Sequence, residues 1–570
     1  MDADAFRQAA QSAIEEIISY NKNIASLPVL PQIKPGYLAP QIPTSAPTKP
    51  QPWSDIQPDI SSKIIPGLTH WQSPKFMAFF PACVTYPSII GEMYSAAFTA
   101  PAFNWLCSPA CTELETVVTD WMCQAFSLPP SFLSTSPNGG GGTIQGSASE
   151  AIVTCMVAAR ERYLHRKCTS ENLQPNTPEW EDRISTLRGK LIALSSDQTH
   201  SSTAKGARIA GTRFRAIPTS YTDDLALTGQ SLASTLAECA AQGLEPYYIT
   251  LTLGTTSTCS VDDFASLAPI LRQHPNIWVH VDAAYAGAAL ILPEYANKYS
   301  HHMSIADSFN MNMHKWLLVN FDASMLYVQN RTDLTRALSV SAPYYENKAS
   351  DSGMVTDYRD WQIPLGRRFR ALKIWFVVRT FGLEGMREHI SRTIRLGELF
   401  AGLVGERRDL FEVVARPAFA LTCFRLKPEL FEAKAVVNGN GHIEEGVKAP
   451  LPDVPAKTPL KSVAATAAAT NGTSTPTFSS TNGEHTLNGS ASASKAAETT
   501  ANTLTKNITD LINERGEVFL TGSTAGGKTF IRVVSGNANA EEKYIREAWE
   551  EILKVTEEVL GEWRRERGQP

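Results

Sequence analysis

Between residues 86 and 372 the sequence alternates between two periodicities. Stretches with helical spacing, "CTELETVVTDWMCQAF" and "SEAIVTCMVAARERYLHRK", are interleaved with short apolar runs bounded by turn residues, "LIALSS", "YYITLTL" and "IWVHVD". Helices that alternate with such strands predict a mostly parallel sheet flanked by helices, an α/β fold. Sheets of this kind gather their ligands at the carboxyl ends of the strands.

The flanks differ from this middle. Residues 1 to about 24 predict one amphipathic helix, with Phe6, Ala10, Ile14, Ile17 and Ile18 on one face. The following "LPVLPQIKPGYLAPQIPTSAPTKPQP" is too proline-rich for a helix or a central strand, and predicts an extended arm over the rest of the protein or over a second subunit. Residues 434–503 are rich in Ala, Ser, Thr, Gly and Asn and nearly empty of large apolar side chains. Such a stretch buries too little surface to offset its ordering entropy, so a disordered insertion is expected there. Structure is expected to resume near 504 and to close with the helix "AEEKYIREAWEEILKVTEEVLGEWRRE". The division that results is a helix and dimerisation arm over 1–85, a large α/β domain over 86–372, and a small α+β C-terminal domain over 373–570 interrupted at 434–503.

The 570 residues are 43% hydrophobic and 19% charged, with a net charge of −5. That balance is globular and favours neither nucleic acid nor an anionic membrane as a partner. The first residues lack the basic start and apolar run of a signal peptide, and no apolar stretch reaches the ~18 residues of a membrane span. Nine cysteines without framework spacing suggest the reduced thiols of a cytoplasmic protein. Cys107 and Cys111 have no partner pair at zinc spacing, so no metal site is expected.

One octet invites a different reading. "GSTAGGKT", residues 522–529, fits the phosphate-cradling pattern G-x-x-x-x-G-K-[ST]. That pattern works only between a buried strand and a helix N-terminus. Here "EVFLTG" before it and "FIRVVSG" after it both read as strands, so the glycines predict a hairpin turn and nucleotide binding is not expected.

The signal for chemistry is densest between residues 196 and 370. "IWVHVDAAYAG" ends an apolar strand in Asp282, a costly place for a carboxylate unless it meets a cation. Ala283, Ala284 and Gly287 leave room beside it for a flat ring. Lys315 stands among Met313, His314, Trp316, Leu317 and Leu318, surroundings that depress an ammonium pKa and create a nucleophilic amine. An acid for a ring nitrogen together with a Schiff-base lysine is what pyridoxal 5'-phosphate requires. "GGGGTIQGSASEAIV" offers a phosphate cradle, a Gly-rich run followed by Ser147, Ala148 and Ser149 opening a helix.

The segments "THWQSP", "SPACTELE", "IQGSASEA", "SSDQTHSS", "TLGTT", "HVDAAYAG", "HKWLLVNFD" and "DYRDWQIPLGRRFR" resemble the aromatic-L-amino-acid decarboxylases, group II pyridoxal-phosphate enzymes of fold type I. The resemblance runs from residue 1 to about 430 and resumes near 504. It implies decarboxylation of an aromatic L-amino acid to its amine and CO2 through an external aldimine and a quinonoid, in a homodimer with active sites at the subunit interface. It implies that Lys315 carries the cofactor and Asp282 keeps the pyridine nitrogen protonated. His200 would stack on the ring near the substrate carboxylate, with Ala284 on the opposite face. Ser147, Ala148 and Asn312 would bind phosphate, and Thr256 would hydrogen-bond near the ring. The polar, Gly-containing segment "APYYENKASDSGMVTDYRD" would close over the site and present Tyr344 as the acid that protonates Cα. Related aldehyde synthases carry phenylalanine there and oxidise the amine carbon with O2, so tyrosine favours simple decarboxylation.

The resemblance also places substrate-binding residues at Trp71, Phe79, Phe80, Pro81, Ala82 and Gly366, with Phe103 contributed by the partner subunit. Phe79 stands where relatives often have tyrosine, and Ala82 where DOPA decarboxylases have a hydroxyl residue. Gly366 matches the small residue of plant tryptophan decarboxylases where tyrosine decarboxylases carry serine. Fewer hydroxyls favour the bulky indole, so tryptophan is expected ahead of tyrosine, DOPA and phenylalanine.

Overall fold

The computed structural model describes residues 1–339, 355–432 and 488–568. Its centre is a seven-stranded sheet: β1 (Gly141–Gln145), β2 (Leu191–Ser196), β3 (Arg213–Ile217), β4 (Glu245–Thr252), β5 (Trp278–Asp282), β6 (Ser308–Asn312) and β7 (Ser324–Val328). The spatial order is β1-β7-β6-β5-β4-β2-β3. The β3–β2–β4–β5–β6 run is parallel, and β7 pairs antiparallel with both β6 and β1. Strands β1, β2, β5, β6 and β7 are buried at every position, because helices cover both faces and leave no polar side to alternate with. β3 is an edge strand and shows it: its two arginines are not buried. The mostly parallel sheet expected from the alternating pattern is therefore the observed one.

A second sheet is antiparallel, in the order β10-β11-β9-β8, built from β8 (Phe411–Ala418), β9 (Leu421–Leu426), β10 (Thr521–Ala525) and β11 (Lys528–Val534). Three helices accompany it, Arg370–Glu406, Asn488–Arg515 and Glu542–Glu566. The last buries Ile545, Trp549, Ile552 and Val559, the face its helical spacing predicts, in one cluster with Phe400, Phe424 and Ile531. The Arg370–Glu406 helix runs across the sequence boundary at 372 and breaks direction at Gly382, where φ is +63°.

One boundary differs from expectation. Structure expected to resume near 504 resumes at Asn488, as a helix running to Arg515, so the stretch 488–503 is ordered helix rather than insertion. Ala497, Ala501, Thr505, Ile508 and Ile512 recur at helical spacing and are all buried. Glu498 makes two hydrogen bonds to the fully buried Arg425, one of 2.7 Å, and Glu412 reaches the same guanidinium at 2.9 Å. Composition counts these small side chains as low in hydrophobicity and cannot see the buried cation that Glu498 satisfies. The rest of the expected insertion lies outside the described residues.

The N-terminal helix spans Ala3–Asn23, with the Asp2 carboxylate accepting from Ala5 N at 2.8 Å as its cap. Its apolar face is open in the single chain: Phe6 is 64% exposed, and Ile14 and Ile17 are exposed beside it. The arm that follows is tied down by main-chain bonds, Val29 N to Gly516 O at 2.8 Å and His70 N to Val29 O at 3.0 Å. Among the described residues no helix is long and apolar enough to cross a membrane.

Candidate active site

The carboxyl ends of five strands converge on one cavity of about 230 Å³. Its lining includes Ser147 and Ala148 after β1, His200 after β2, Thr256 after β4, Asp282 and Ala284 at the end of β5, and Asn312 and Lys315 after β6. All eight residues expected around a cofactor thus share one space, and Phe80 adds an aromatic wall.

Asp282 is the last residue of β5 and only 6% exposed. Its Oδ1 accepts from Ala284 N at 3.0 Å. Two residues back on the same strand face, the buried His280 lies 2.7 Å from Ser308 Oγ and 2.8 Å from Asn310 Oδ1. Burial pulls the His280 pKa down to about 4, so it stays a neutral support behind the carboxylate.

Lys315 sits in a single helical turn, Met313–Trp316. Burial lowers its pKa, and the nearby Asp282 carboxylate opposes that shift. Its Nζ is 5.3 Å from the Phe80 ring centroid. Phe80 stacks on Tyr285 at 3.8 Å and Tyr285 on Trp316 at 4.6 Å, both with 15° between planes. Hydrogen bonds fix the two polar rings of this stack, Tyr285 Oη to Phe419 O at 2.8 Å and Trp316 Nε1 to Thr393 Oγ1 at 3.0 Å.

His200 stands at the cavity mouth. Ser202 N donates to its Nδ1 at 3.2 Å, and Ser202 Oγ lies 2.8 Å from the same nitrogen. Nδ1 is therefore an acceptor, and the ring proton belongs on Nε2. Burial and the Lys315 charge lower its pKa while Asp282 raises it, with burial the largest effect.

The end of the cavity expected to take a phosphate draws on fewer residues than the sequence suggests. Ser147 caps the Ala148–Ser170 helix, its Oγ accepting from Glu150 N at 3.2 Å, and Ser149 joins it in the cavity wall. The glycine run at 139–142 does not line this cavity. A Cβ on Gly142 would come within 2.7 Å of Thr119 Cβ, so that glycine serves close packing of β1 rather than anion binding. Gly146 is the glycine beside the cradle, where a Cβ would lie 3.0 Å from the carboxylates of Asp322 and Glu150.

The substrate-side residues are spread differently. Phe79 borders a second cavity of about 430 Å³, which shares His200 and Thr256 with the first. Trp71 stacks on Phe79 at 5.8 Å. Ala82 O accepts from the Gln72 side chain, Phe103 O accepts from Arg359 N at 3.2 Å, and Pro81 is buried. Gly366 is exposed, with nothing within 4 Å of an added Cβ. Trp71, Pro81, Ala82, Phe103 and Gly366 do not line either cavity of the single chain. Tyr344 lies outside the described residues.

Tyr285, Gly254, His314 and Phe321 also line the first cavity and were not singled out from the sequence. Tyr285 and the supporting His280 both lie in "VHVDAAYAG", whose period of two puts His280 on the Asp282 face.

The donor set fits pyridoxal phosphate. A helix N-terminus with two serines faces one end, and a buried carboxylate and a lysine of lowered pKa lie in the same cavity. Asn312 is buried at the wall, and among the described residues its Oδ1 has no hydrogen-bond partner. The fold and the site together define a pyridoxal-phosphate enzyme of fold type I. The conserved domain of pyridoxal-dependent decarboxylases matches residues 35–427, and the chain belongs to that family.

Within it, the chain is 44% identical over 428 residues to the aromatic-L-amino-acid decarboxylase of Cavia porcellus, covering 75% of this chain and 86% of the relative. Two plant crystal structures share the whole architecture. Oryza sativa TDC with PLP and tryptamine superposes with a TM-score of 0.80 at 33% identity, over 98% of this chain and 99% of the other. Rhodiola rosea 4-hydroxyphenylacetaldehyde synthase gives 0.77 at 30% identity, over 98% and 99%. The protein is a pyridoxal-phosphate-dependent carboxy-lyase of the aromatic amino acid decarboxylase family.

Proposed function

We propose that this chain works as a cytoplasmic homodimer that decarboxylates L-tryptophan to tryptamine, with tyrosine, DOPA and phenylalanine as poorer substrates. The observation that carries the chemistry is the common cavity of Asp282 and Lys315. When bound, pyridoxal phosphate supplies an electron sink conjugated to the substrate's Cα. Lys315 would tether the cofactor through its amine, and Asp282 would hold a proton on the pyridine nitrogen. Ser147, Ala148 and Asn312 would hold the phosphate, with His200, Ala284 and Thr256 positioning the ring. Phe79, Phe80, Trp71 and Pro81 receive the aromatic side chain, together with the partner subunit's Phe103.

The preference for indole rests on Phe79, Ala82 and Gly366, none of which carries the hydroxyl that phenol- or catechol-selective relatives have at the matching positions. The structural neighbour solved with tryptamine agrees with it. The exposed apolar residues Phe6, Phe98 and Leu106 are surfaces that the partner subunit would cover in the proposed dimer. A competition assay over the four amino acids tests the substrate. Tryptophan is expected to lead in kcat/KM by about tenfold or more, the worth of a well-fitted apolar pocket. Faster consumption of tyrosine or DOPA would reverse the assignment.

A second reading, oxidative conversion to the aldehyde, is favoured by the likeness to the Rhodiola enzyme. Tyr344 decides between them as the group that delivers a proton to Cα. Tyr344→Phe is expected to move product from amine toward aldehyde, with H2O2 and ammonia released. An unchanged amine yield in that variant would remove Tyr344 from the role.

A further inference from the structure

The hairpin that carries the GSTAGGKT octet reaches the active site with no helix at its end. β10 and β11 are joined by Gly526 and Gly527, with φ of +50° and +81°, in register Ala525 to Lys528. Two consecutive positive φ values suit the tight hairpin turn that follows the twist of the strands. The tip is docked on Tyr221, whose Oη donates to Ala525 O at 2.8 Å and whose ring lies 4.9 Å from Lys528 Nζ. A Cβ on Gly526 would come within 2.5 Å of that ring. Gly526 and Gly527 of the octet are thus accounted for by the turn and its docking.

The base of the same hairpin grips the segment before the cavity. Thr521 and Arg532 are directly opposite across the strand pair. Thr521 Oγ1 accepts from Phe79 N at 2.7 Å, and Arg532 Nη2 donates to Phe79 O at 3.4 Å. Both main-chain groups of Phe79 are therefore held by one cross-strand pair. Phe79 needs holding, because its φ of +51° lies in the left-handed region that a bulky side chain avoids. This corner separates two adjacent aromatic rings. Phe79 borders the cavity of about 430 Å³, and Phe80 borders the cofactor cavity of about 230 Å³.

Arg532 does more than grip one carbonyl. Its Nε donates to Ser257 O at 3.0 Å, beside Thr256, and its guanidinium carbon lies 5.2 Å from the Phe80 ring centroid. It is 3% exposed, and no carboxylate forms an ion pair with it among the described residues. A buried cation without a counter-charge is a poor device for stability alone. Its contacts are two backbone carbonyls and an aromatic ring that bound the active site.

We propose that Thr521 and Arg532 are positioning residues that fix the Phe79–Phe80 corner and so set the fit of the substrate's aromatic side chain. The inference rests on the reading of Phe79 and Phe80 as substrate-binding residues. Neither residue touches the reacting atoms. The clamp acts on which aromatic ring fits and how tightly, and leaves the chemical step and cofactor binding to other residues.

The test compares holoenzyme variants Thr521→Val, Thr521→Ser, Phe79→Ala and Lys528→Ala. Thr521→Val keeps the shape and loses the acceptor. It is expected to raise KM for tryptophan about fivefold, the effect of one lost hydrogen bond, and to change the tryptophan-to-tyrosine selectivity. Its kcat and its cofactor affinity, read by fluorescence titration of apoenzyme, stay at parent values. Thr521→Ser restores KM, and Lys528→Ala, altered only at the hairpin tip, matches the parent. Phe79→Ala raises KM independently of the clamp. If Phe79→Ala raises KM while Thr521→Val stays within about twofold of the parent, the clamp is overturned and the substrate reading stands. If Phe79→Ala leaves KM and selectivity unmoved, the substrate reading of Phe79 fails, and the clamp with it. A Thr521→Val variant that only melts earlier, with unchanged KM and selectivity, reduces Thr521 to a structural role and also overturns the proposal.

Discussion

Replacing Asp282 with alanine is expected to lower kcat for decarboxylation by about 10³-fold or more, equivalent to roughly 4 kcal/mol of transition-state stabilisation. The argument begins with cost. A carboxylate that is 6% exposed at a strand end is expensive to keep ionised unless a cation faces it. The fold nevertheless supports it, with Ala284 N donating to it and His280, Ser308 and Asn310 hydrogen-bonded on the strands behind. That support suits the proposed role, in which Asp282 would hold a proton on the cofactor's ring nitrogen and so strengthen the ring as an electron sink. The need is greatest in the transition state, so kcat should fall far more than substrate affinity. The cofactor should still bind, since Lys315 and the Ser147 helix end are untouched. Chromatographic measurement of amine formed under saturating substrate checks this. Near-parental turnover would remove Asp282 from the mechanism.

Asp282 and Lys315 were legible from sequence because each violates a local rule. One is an acid ending a buried apolar run, and the other is an amine in apolar company. The parallel sheet was legible for a similar reason, since its strands are apolar on both faces. What stayed hidden depends on contacts between distant segments. Nothing near Phe80 announces that its ring lies 3.8 Å from Tyr285, and nothing near Phe79 announces a left-handed backbone held by Thr521. The glycine run at 139–142 misled because glycine signals close approach without saying to what. Here the neighbours are other parts of the protein, Ser131 O for Gly140, Trp361 for Gly141 and Thr119 for Gly142. The start of the Asn488–Arg515 helix was missed because its early turns pack with alanine and with one ion pair to Arg425.

Two of the quoted segments, "SPACTELE" and "DYRDWQIPLGRRFR", are far apart in sequence and meet in a buried ion pair that yields the second large prediction. Glu115, 4% exposed, closes the first, and Arg367, 5% exposed, lies in the second. Glu115 Oε1 accepts from Arg367 Nη2 at 2.6 Å, from Ile144 N at 2.8 Å and from Thr143 Oγ1 at 3.1 Å. Arg367 in turn donates to Gln362 Oε1 at 2.9 Å and lies 4.7 Å over the Tyr358 ring. The pair is therefore fully engaged, and its worth appears when one side is removed. Glu115→Ala leaves a buried guanidinium without a counter-charge and strips an acceptor from β1. The expected loss is about 3–5 kcal/mol, seen as a lowered unfolding midpoint of the holoenzyme. Function should feel it as well, because Ile144 lies in β1, three residues before Ser147, which is proposed to hold the cofactor phosphate. Cofactor dissociation is expected to quicken in Glu115→Ala, whereas the lost charge partner alone would leave it unchanged. The double variant Glu115→Leu with Arg367→Met should regain most of the stability, since a well-packed apolar pair can replace a buried salt bridge. Were the double variant no more stable than Glu115→Ala, the cost would lie in the lost β1 hydrogen bonds instead of the unpaired cation. A single variant that melts with the parent would show the pair to be dispensable.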